Sequence, residues 1–258
     1  MSLWLLFLLV GAAGGFTAGL FGVGGGLVIV PTLYFLWRTD PIMGPHVMHF
    51  AVATSLACIV VTSMTSSWTH WRARRLVFDR LSWLAAAVSA GAMSAVMLAN
   101  WLPTSWLKIG FGLFALTTCL TLLRKKNDEL SKTSPAKFEL LGAGAMIGHL
   151  STLLGVSGGA MTVPYLVLRG IDMRQAVVVS SAVAIPISLI GATGLAMTGP
   201  DVASTVGYVH LPAFIGISCV SMFFASWGAR LSQQMDKKKL QLAFAGFLAL
   251  VAAHMLIH

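Results

Sequence analysis

Two related stretches of this sequence decide its fold. They are Gly22-Val23-Gly24-Gly25-Gly26 followed by Val30-Pro31, and Gly155-Val156-Ser157-Gly158-Gly159 followed by Val163-Pro164. Each stretch interrupts a long apolar run. Backbone that cannot be helical is tolerated at membrane depth only where protein or a watery cavity surrounds it. The duplicated glycine block therefore predicts a site rather than a scaffold.

The composition is that of an integral membrane protein. Hydrophobic residues make up 57% of the 258 residues, charged residues make up 10%, and the mean hydropathy is +0.85. A soluble core could not bury this much apolar surface. The first apolar run lacks the basic flank of a signal peptide and leads directly into a glycine block, so we interpret it as a retained span. The three cysteines are spaced neither as a disulfide framework nor as a metal site.

The apolar runs predict eight full transmembrane helices and two short half-helices that follow the glycine blocks. Full spans need about 20 residues, whereas the short ones reach only about halfway across the hydrocarbon. The predicted series of the first half is Leu3–Phe21, the short Leu27–Trp37, His46–Trp68, Leu81–Asn100 and Ser105–Leu123. The second half gives Phe138–Leu154, the short Ala160–Leu168, Gln175–Met197, Leu211–Ala229 and Lys239–Ile257.

The two series are copies of one unit. An offset of 133 residues pairs one glycine block with the other, and also Pro31 with Pro164 and Leu107 with Leu240. We therefore predict a first membrane repeat at 1–123, a cytoplasmic linker at 124–137 and a second membrane repeat at 138–258. Each half contains an odd number of crossings when its short segment is counted as one, so the repeats are expected to be inverted. Secondary transporters commonly have this architecture, with the substrate bound near the midplane.

The positive charge reports topology rather than nucleic-acid binding. All basic residues except Arg38 and Lys108 lie in four segments, around 70–80, 124–137, 169–174 and 230–239. Cytoplasmic loops carry an excess of lysine and arginine, so these four segments are predicted to be cytoplasmic loops of a multi-pass protein.

The glycine blocks have a specific physical use. Half-helices that begin near Leu27 and Ala160 would each place free N–H groups and a positive dipole end at mid-membrane. Glycines lack side chains, so an oxyanion can approach this backbone closely. The blocks therefore predict a small-anion site between the halves.

These motifs resemble the TauE/SafE sulfite exporter family. The resemblance lies in Gly-Leu-Phe-Gly-Val-Gly-Gly-Gly at 19–26 with the following Val-Pro, the weaker copy at 153–164, and Ala53-Thr54-Ser55-Leu56. It implies a transporter of the bacterial inner membrane for sulfur-containing anions such as sulfite, thiosulfate or sulfonates. The second copy departs from the pattern at Ser157 and at Ser180-Ser181-Ala182.

The candidate substrate-binding residues are the block residues, hydroxyls of the third span of each half, and one histidine. We expect Thr54 and Ser55, and at matching places Ser180 and Ser181, either to donate to an oxyanion or to bond a carbonyl of their own helix. His149 is either hydrogen-bonded between helices, coupled to protons or in contact with the anion. The full set is Gly22, Gly24, Gly25, Gly26, Thr54, Ser55, Gly155, Ser157, Gly158, Gly159, Ser180, Ser181 and His149.

The distribution of acidic residues disfavours an enzyme. All eight lie in loops or at span ends, which leaves no obvious carboxylate for intramembrane catalysis. The pattern indicates no cofactor, no catalytic residue, no metal site and no nucleic-acid partner. The bilayer and a small anion are the expected partners, with protons as a candidate coupling ion and a homodimer as a candidate assembly. A passive anion channel and a transporter of an unrelated organic anion remain the alternatives.

Overall fold

The computed structural model describes residues 3–72, 81–123, 137–200 and 202–257. Residues 73–80 of the predicted loop around 70–80 lie outside the described residues. Residues 124–136 of the predicted linker 124–137 also lie outside them, and a helix begins at Lys137. Nearly all of the described chain is helical, as expected of an all-α membrane protein.

Ten α-helices and one two-stranded hairpin form the described part of the chain. The first half contains α1 (Leu3–Phe21), α2 (Gly26–Trp37), α3 (Val47–Arg72), α4 (Leu81–Ala99) and α5 (Thr104–Leu123), with a 3-10 turn at Gly44–His46. The second contains α6 (Lys137–Leu153), α7 (Gly159–Leu168), α8 (Met173–Thr198), β1 (Thr205–Val206), β2 (Val209–His210), α9 (Leu211–Gln234) and α10 (Lys237–Ile257).

Five of these helices are long and apolar enough to cross a membrane. They are α1, α3 with its preceding turn, α4, α8 and α9. The two short apolar helices α2 and α7 follow the glycine blocks, where the sequence predicts half-helices. Each begins one residue earlier than predicted, at the last glycine of its block.

The packing alternates between the two halves of the chain. The central helices α3 and α8 contact each other and are the most buried of the five long apolar helices. The helix α1 packs along α9, whereas α6 packs along α4, and α5 packs against α10. The short helices lie against the central ones: α2 contacts α3, and α7 contacts α8.

Glycine ridges allow two of the helix pairs between the halves, α1 with α9 and α4 with α6, to approach closely. In α1, a Cβ on Gly11, Gly15 or Gly19 would meet the backbone of α9. In the other pair, Gly148 of α6 fits against the backbone of Val88, and Gly91 of α4 fits against that of Ala145. Small residues at interfaces are the usual means of tight helix packing in membranes.

The hairpin between α8 and α9 was not predicted from the sequence. The strands pair antiparallel, with Thr205 opposite His210 and Val206 opposite Val209. The side chains of Tyr208 and Val209 are buried, and the N–H of Tyr208 donates to the carbonyl of Leu195. The segment therefore packs into the helical body.

Candidate functional site

The two glycine blocks touch each other. Gly26 lies against the carbonyl of Gly155, and Gly159 lies against the carbonyl of Gly22. Between these contacts, a Cβ on Gly24 would lie 2.6 Å from the Cβ of Ser157. Such separations exclude a side chain at the glycine positions, which is the close approach that the sequence pattern requires.

The contacts between the blocks are reciprocal. Gly22 and Gly155 are equivalent under the offset of 133 residues, as are Gly26 and Gly159. If each residue is replaced by its equivalent in the other block, the contact between Gly22 and Gly159 becomes the contact between Gly155 and Gly26. Gly24 and Ser157, which are equivalent to each other, meet at the middle of this arrangement.

The two blocks reach these positions with different backbones. Gly22, Gly24 and Gly25 have φ values of 70°, 66° and 81°, in the left-handed region. In the second block Gly155 has a φ of 66°, whereas Gly158 has a φ of −45° and Ser157 is not among the residues with positive φ. A serine is tolerated at position 157 because its backbone does not need the left-handed conformation.

Hydroxyl groups of the central helices hold the carbonyls of both blocks. Ser55 of α3 donates to the carbonyl of Gly155 at 2.8 Å. Ser180 of α8 lies within hydrogen-bond distance of two carbonyls, that of Gly22 at 3.1 Å and that of Val177 in its own helix at 2.9 Å. Sequence analysis missed Thr62 of α3, which donates to the carbonyl of Gly24 at 3.0 Å. No sequence signal distinguishes this threonine, because most hydroxyls in apolar helices bond their own helix.

The remaining hydroxyl candidates have other partners. Ser181 donates to the carbonyl of Val178 in its own helix at 2.9 Å. Thr54 accepts a hydrogen bond from the backbone N–H of His210 in the hairpin at 3.0 Å. The sequence pairs Thr54 with Ser180 and Ser55 with Ser181. By their contacts with the blocks, Ser55 corresponds instead to Ser180, which is one residue away from the pairing that the sequence suggests.

The N-terminal ends of α2 and α7 present unpaired donors. Their N-cap residues, Gly25 and Gly158, provide no side-chain cap. Among the described residues, the backbone N–H groups of Gly25, Gly26, Gly158 and Gly159 have no backbone acceptor. Helix N-termini with free N–H groups carry partial positive charge and attract anions.

The hairpin residue His210 joins Thr54 to the start of α9. Its Nδ1 accepts from the N–H of Ala213 at 3.2 Å, and its ring packs against Trp37 and Phe7. Burial lowers the pKa of His210, partly offset by the charge of Asp40. A neutral imidazole is required to accept this capping bond, and the lowered pKa favours that form.

His149 is joined to α4 rather than to a glycine block. Its Nδ1 lies 2.7 Å from the Oγ of Ser94. Both residues line a surface groove of about 460 Å³ between α4 and α6, together with Gly91 and Ala145. The described contacts therefore do not bring this histidine together with the other candidate residues.

Two adjoining apolar cavities lie beside α7. They measure about 310 and 370 Å³ and share Phe114, Thr117, Leu150 and Met161. In the corresponding region beside the first block, aromatic rings stack. The ring centroid of Phe21 lies 4.9 Å from that of Phe244 and 5.9 Å from that of Phe247. Leu154, which is the equivalent of Phe21, lines the cavity instead.

Within the described residues there is no group of three or more histidine, cysteine, aspartate or glutamate side chains that could hold a metal ion. The arrangement offers neutral donors instead. They consist of backbone N–H groups and hydroxyls around two helix ends, which is chemistry suited to an anion.

Comparison with known proteins gives the same family over nearly the whole chain. The family model described as "Sulfite exporter TauE/SafE" matches residues 7–255. A "Probable membrane transporter protein" of Haemophilus influenzae is 33% identical, and the match covers 98% of each chain. A protein of the same description from Methanocaldococcus jannaschii is 26% identical over 98% of this chain and 95% of the relative. A third, YunE of Bacillus subtilis, is 20% identical over 98% and 97%.

No solved structure matches the chain. The glycine blocks, the helical membrane architecture and the end-to-end match to the family model agree with one another. This multi-pass membrane protein belongs to the TauE/SafE sulfite exporter family, whose curated relatives are described as membrane transporters.

Proposed function

We propose that this protein is a secondary transporter that carries a small sulfur-containing oxyanion, such as sulfite, thiosulfate or a sulfonate, across the bacterial inner membrane. The anion binds near the midplane at the N-terminal ends of α2 and α7. One observation carries the proposal: the two glycine blocks meet, and each leads into a short helix whose first N–H groups are unpaired.

Electrostatics support an anion over a cation at this place. Each short helix contributes roughly half a positive charge at its N-terminal end. The negative ends of the local backbone dipoles are already engaged, since hydroxyls of Ser55, Ser180 and Thr62 donate to block carbonyls. The groups left without partners are donors, which favours a ligand with several acceptor oxygens.

The transport mode follows from the proposed topology. Two inverted halves with eight full spans and the two half-helices would place the site at the interface between the halves. The reciprocal packing of α1 with α9 and of α6 with α4 supports such a pseudo-symmetric arrangement. The basic segments around 169–174 and 230–239 would then face the cytoplasm, with those around 70–80 and 124–137.

The substrate class rests on the family. Its model is named for sulfite export, whereas the curated relatives are described only as membrane transporters. The neutral donors of the site suit an oxyanion and do not by themselves distinguish one sulfur oxyanion from another.

Flux into proteoliposomes tests this proposal. Radiolabelled sulfite uptake is measured with the purified protein, with sulfate, thiosulfate, sulfonates and chloride as competitors, with and without an imposed pH gradient. We expect saturable uptake that sulfur oxyanions inhibit more strongly than chloride does, and a pH gradient that accelerates it would identify protons as the coupling ion. Non-saturating flux would instead indicate a channel. Absence of flux for every one of these anions would overturn the sulfur-oxyanion assignment in favour of an unrelated organic anion.

A further inference from the structure

Three of the four hydroxyls predicted from the third spans already donate hydrogen bonds within the protein. Ser55 donates to the carbonyl of Gly155, Ser180 lies within reach of the carbonyls of Gly22 and Val177, and Ser181 donates to its own helix. The fourth, Thr54, accepts from the N–H of His210. A hydroxyl has one hydrogen to donate, so none of the three serines can donate to an anion without giving up a present bond.

Six hydroxyls of the described residues are buried without a hydrogen-bond partner. Those of Ser66, Ser67 and Ser218 lie in α3 and α9, outside the glycine blocks. The other three, on Thr152, Ser157 and Thr162, lie at or beside the second glycine block, with exposed fractions of 1%, 0% and 0%. Buried polar groups are almost always hydrogen-bonded, so this cluster at one block needs an explanation.

Ser157 and Thr162 lie on either side of the N-cap of α7. Ser157 directly precedes Gly158, and the Oγ1 of Thr162 lies 3.6 Å from the place where a Cβ on Gly158 would be. A buried threonine in a helix ordinarily donates to the carbonyl four residues earlier. Here that carbonyl belongs to Gly158 and accepts the backbone N–H of Thr162 at 2.7 Å, while the hydroxyl makes no such bond.

The first glycine block has no equivalent of these three donors. The offset of 133 residues places Gly19 opposite Thr152, Gly24 opposite Ser157 and Ile29 opposite Thr162. The N-terminus of α2 therefore has backbone donors alone, whereas that of α7 has two unpartnered hydroxyls in addition.

From this asymmetry we infer that the site is one-sided. A single oxyanion binds at the N-terminus of α7, held by the hydroxyls of Ser157 and Thr162 and by the N–H groups of Gly158 and Gly159. This inference rests on the proposed function and specifies its ligand set. All four donors are neutral, so the ligand class is a small, desolvated oxyanion with several acceptor oxygens, and a halide would satisfy fewer of them.

The first glycine block covers this site. Gly24 lies against Ser157, and Gly159 lies against the carbonyl of Gly22, so the donors are closed off in this conformation. Binding then requires the two blocks to part, which gives the contact between them the role of a closure over the anion.

Anion binding to hydroxyl variants of the full-length protein tests the inference. The dissociation constant for sodium sulfite is measured by titration calorimetry in detergent, with thiosulfate, sulfate, methanesulfonate and chloride as further probes. The variants are Ser157→Ala and Thr162→Val, with Thr162→Ser as a variant that keeps the hydroxyl. Matched controls are Ser188→Ala and Thr32→Val, because Ser188 and Thr32 donate to carbonyls of their own helices at 2.8 and 2.7 Å.

We expect Ser157→Ala and Thr162→Val each to weaken oxyanion binding at least about tenfold, the effect of losing one hydrogen bond to a charged ligand. Thr162→Ser and both controls should bind like the wild type. Without ligand, the two loss variants should melt no earlier than the wild type, because they remove a hydroxyl that has no partner.

Three results would overturn the inference, and they can be told apart. If the wild type binds an oxyanion and both loss variants bind it equally well, the one-sided site is wrong and the proposed function stands. If the wild type binds none of these anions, the proposed function fails, and the inference fails with it. Weakened binding by Thr162→Ser equal to that of Thr162→Val would also overturn it, since shape rather than the hydroxyl would then matter.

Discussion

The first and second glycine blocks make the same contacts with different chemistry. The first contains three glycines in the left-handed region, at 22, 24 and 25, whereas the second contains one, at 155. The second block has Ser157 where the first has Gly24. In the helices that follow the blocks, α7 has Thr162 where α2 has Ile29. The comparison shows that the contact between the blocks requires glycine where the partner's backbone presses, as at Gly26 and Gly159, and that other positions differ in residue type.

The largest expected effect comes from the reciprocal contacts. Gly26→Ala and Gly159→Ala would each push a methyl group into a carbonyl of the opposite block. We expect each to lower the free energy of unfolding by about 3 kcal/mol, the upper end of overpacking costs, and to abolish transport. Reversible denaturation in detergent gives the stability, and proteoliposome flux gives the activity.

Gly142→Ala and Gly246→Ala serve as controls for this pair. A Cβ at either position would have nothing within 4 Å, so neither should lose stability. If Gly26→Ala and Gly159→Ala differ strongly from each other, the reciprocity of the two blocks breaks down at this contact.

A comparison of Gly25 with Gly158 separates the two backbones. Gly25 has a φ of 81°, and a Cβ there would lie 2.5 Å from the carbonyl oxygen of Gly14. Gly158 has a φ of −45°, and its added Cβ would first meet the end of the Ile187 side chain, which can shift. We expect Gly25→Ala to cost about 1–2 kcal/mol more than Gly158→Ala, measured by the same denaturation. Equal costs would show that local backbone conformation does not distinguish the blocks.

The hydroxyls of α3 and α8 that contact the block carbonyls should differ in strength. Ser55→Ala removes the hydroxyl donor from the carbonyl of Gly155, whereas Ser180 shares one hydrogen between the carbonyls of Gly22 and Val177. We expect Ser55→Ala to lower the free energy of unfolding by about 1–2 kcal/mol, and Ser180→Ala to lower it by less. Ser181→Ala is the neighbouring control, since Ser181 bonds within its own helix, and its stability should stay within about 0.5 kcal/mol of the wild type.

The smallest expected effect concerns His210, which binds the hairpin of the second half to Thr54 of the first. Its pKa is lowered by burial, so the unfolded chain takes up this proton at a higher pH than the folded protein does. The contribution of neutral His210 to stability is therefore present above a pH of about 6.5 and is lost as the pH falls below it.

Two variants separate the effect of His210 titration on stability from that of other titrating groups. His210→Asn keeps a capping acceptor for α9 without the titration, and the difference in stability between it and the wild type should change between pH 7 and pH 5. His210→Ala should cost about 1 kcal/mol at pH 7 through loss of the cap. A pH-independent difference for His210→Asn would contradict the assignment of the titration to this residue.

The sequence predicts the elements of this fold better than their contacts. The glycine blocks mark the starts of α2 and α7 to within one residue, because successive glycines end a helix and a following apolar run restarts it. The hairpin at 205–210 was not predicted, because its two-residue strands are too short to show the alternation of apolar and polar residues that indicates a strand.

The site was predicted only as far as residue type allows. The sequence places hydroxyls near the blocks but cannot tell a brace such as Ser55 from an unpartnered group such as Thr162, since both are small polar residues in apolar helices. The distinction depends on which carbonyls lie within reach, and packing between distant segments decides that: Ser55 and Gly155 are 100 residues apart in the chain.

The glycine ridge of α1 has a consequence for biosynthesis. Gly11, Gly15 and Gly19 pack against the backbone of α9, which is translated long after α1. The glycine face of α1 is therefore without its partner helix until α9 has been made. A chain truncated before α9 would insert α1 into the membrane and still lack the helix against which α1 packs.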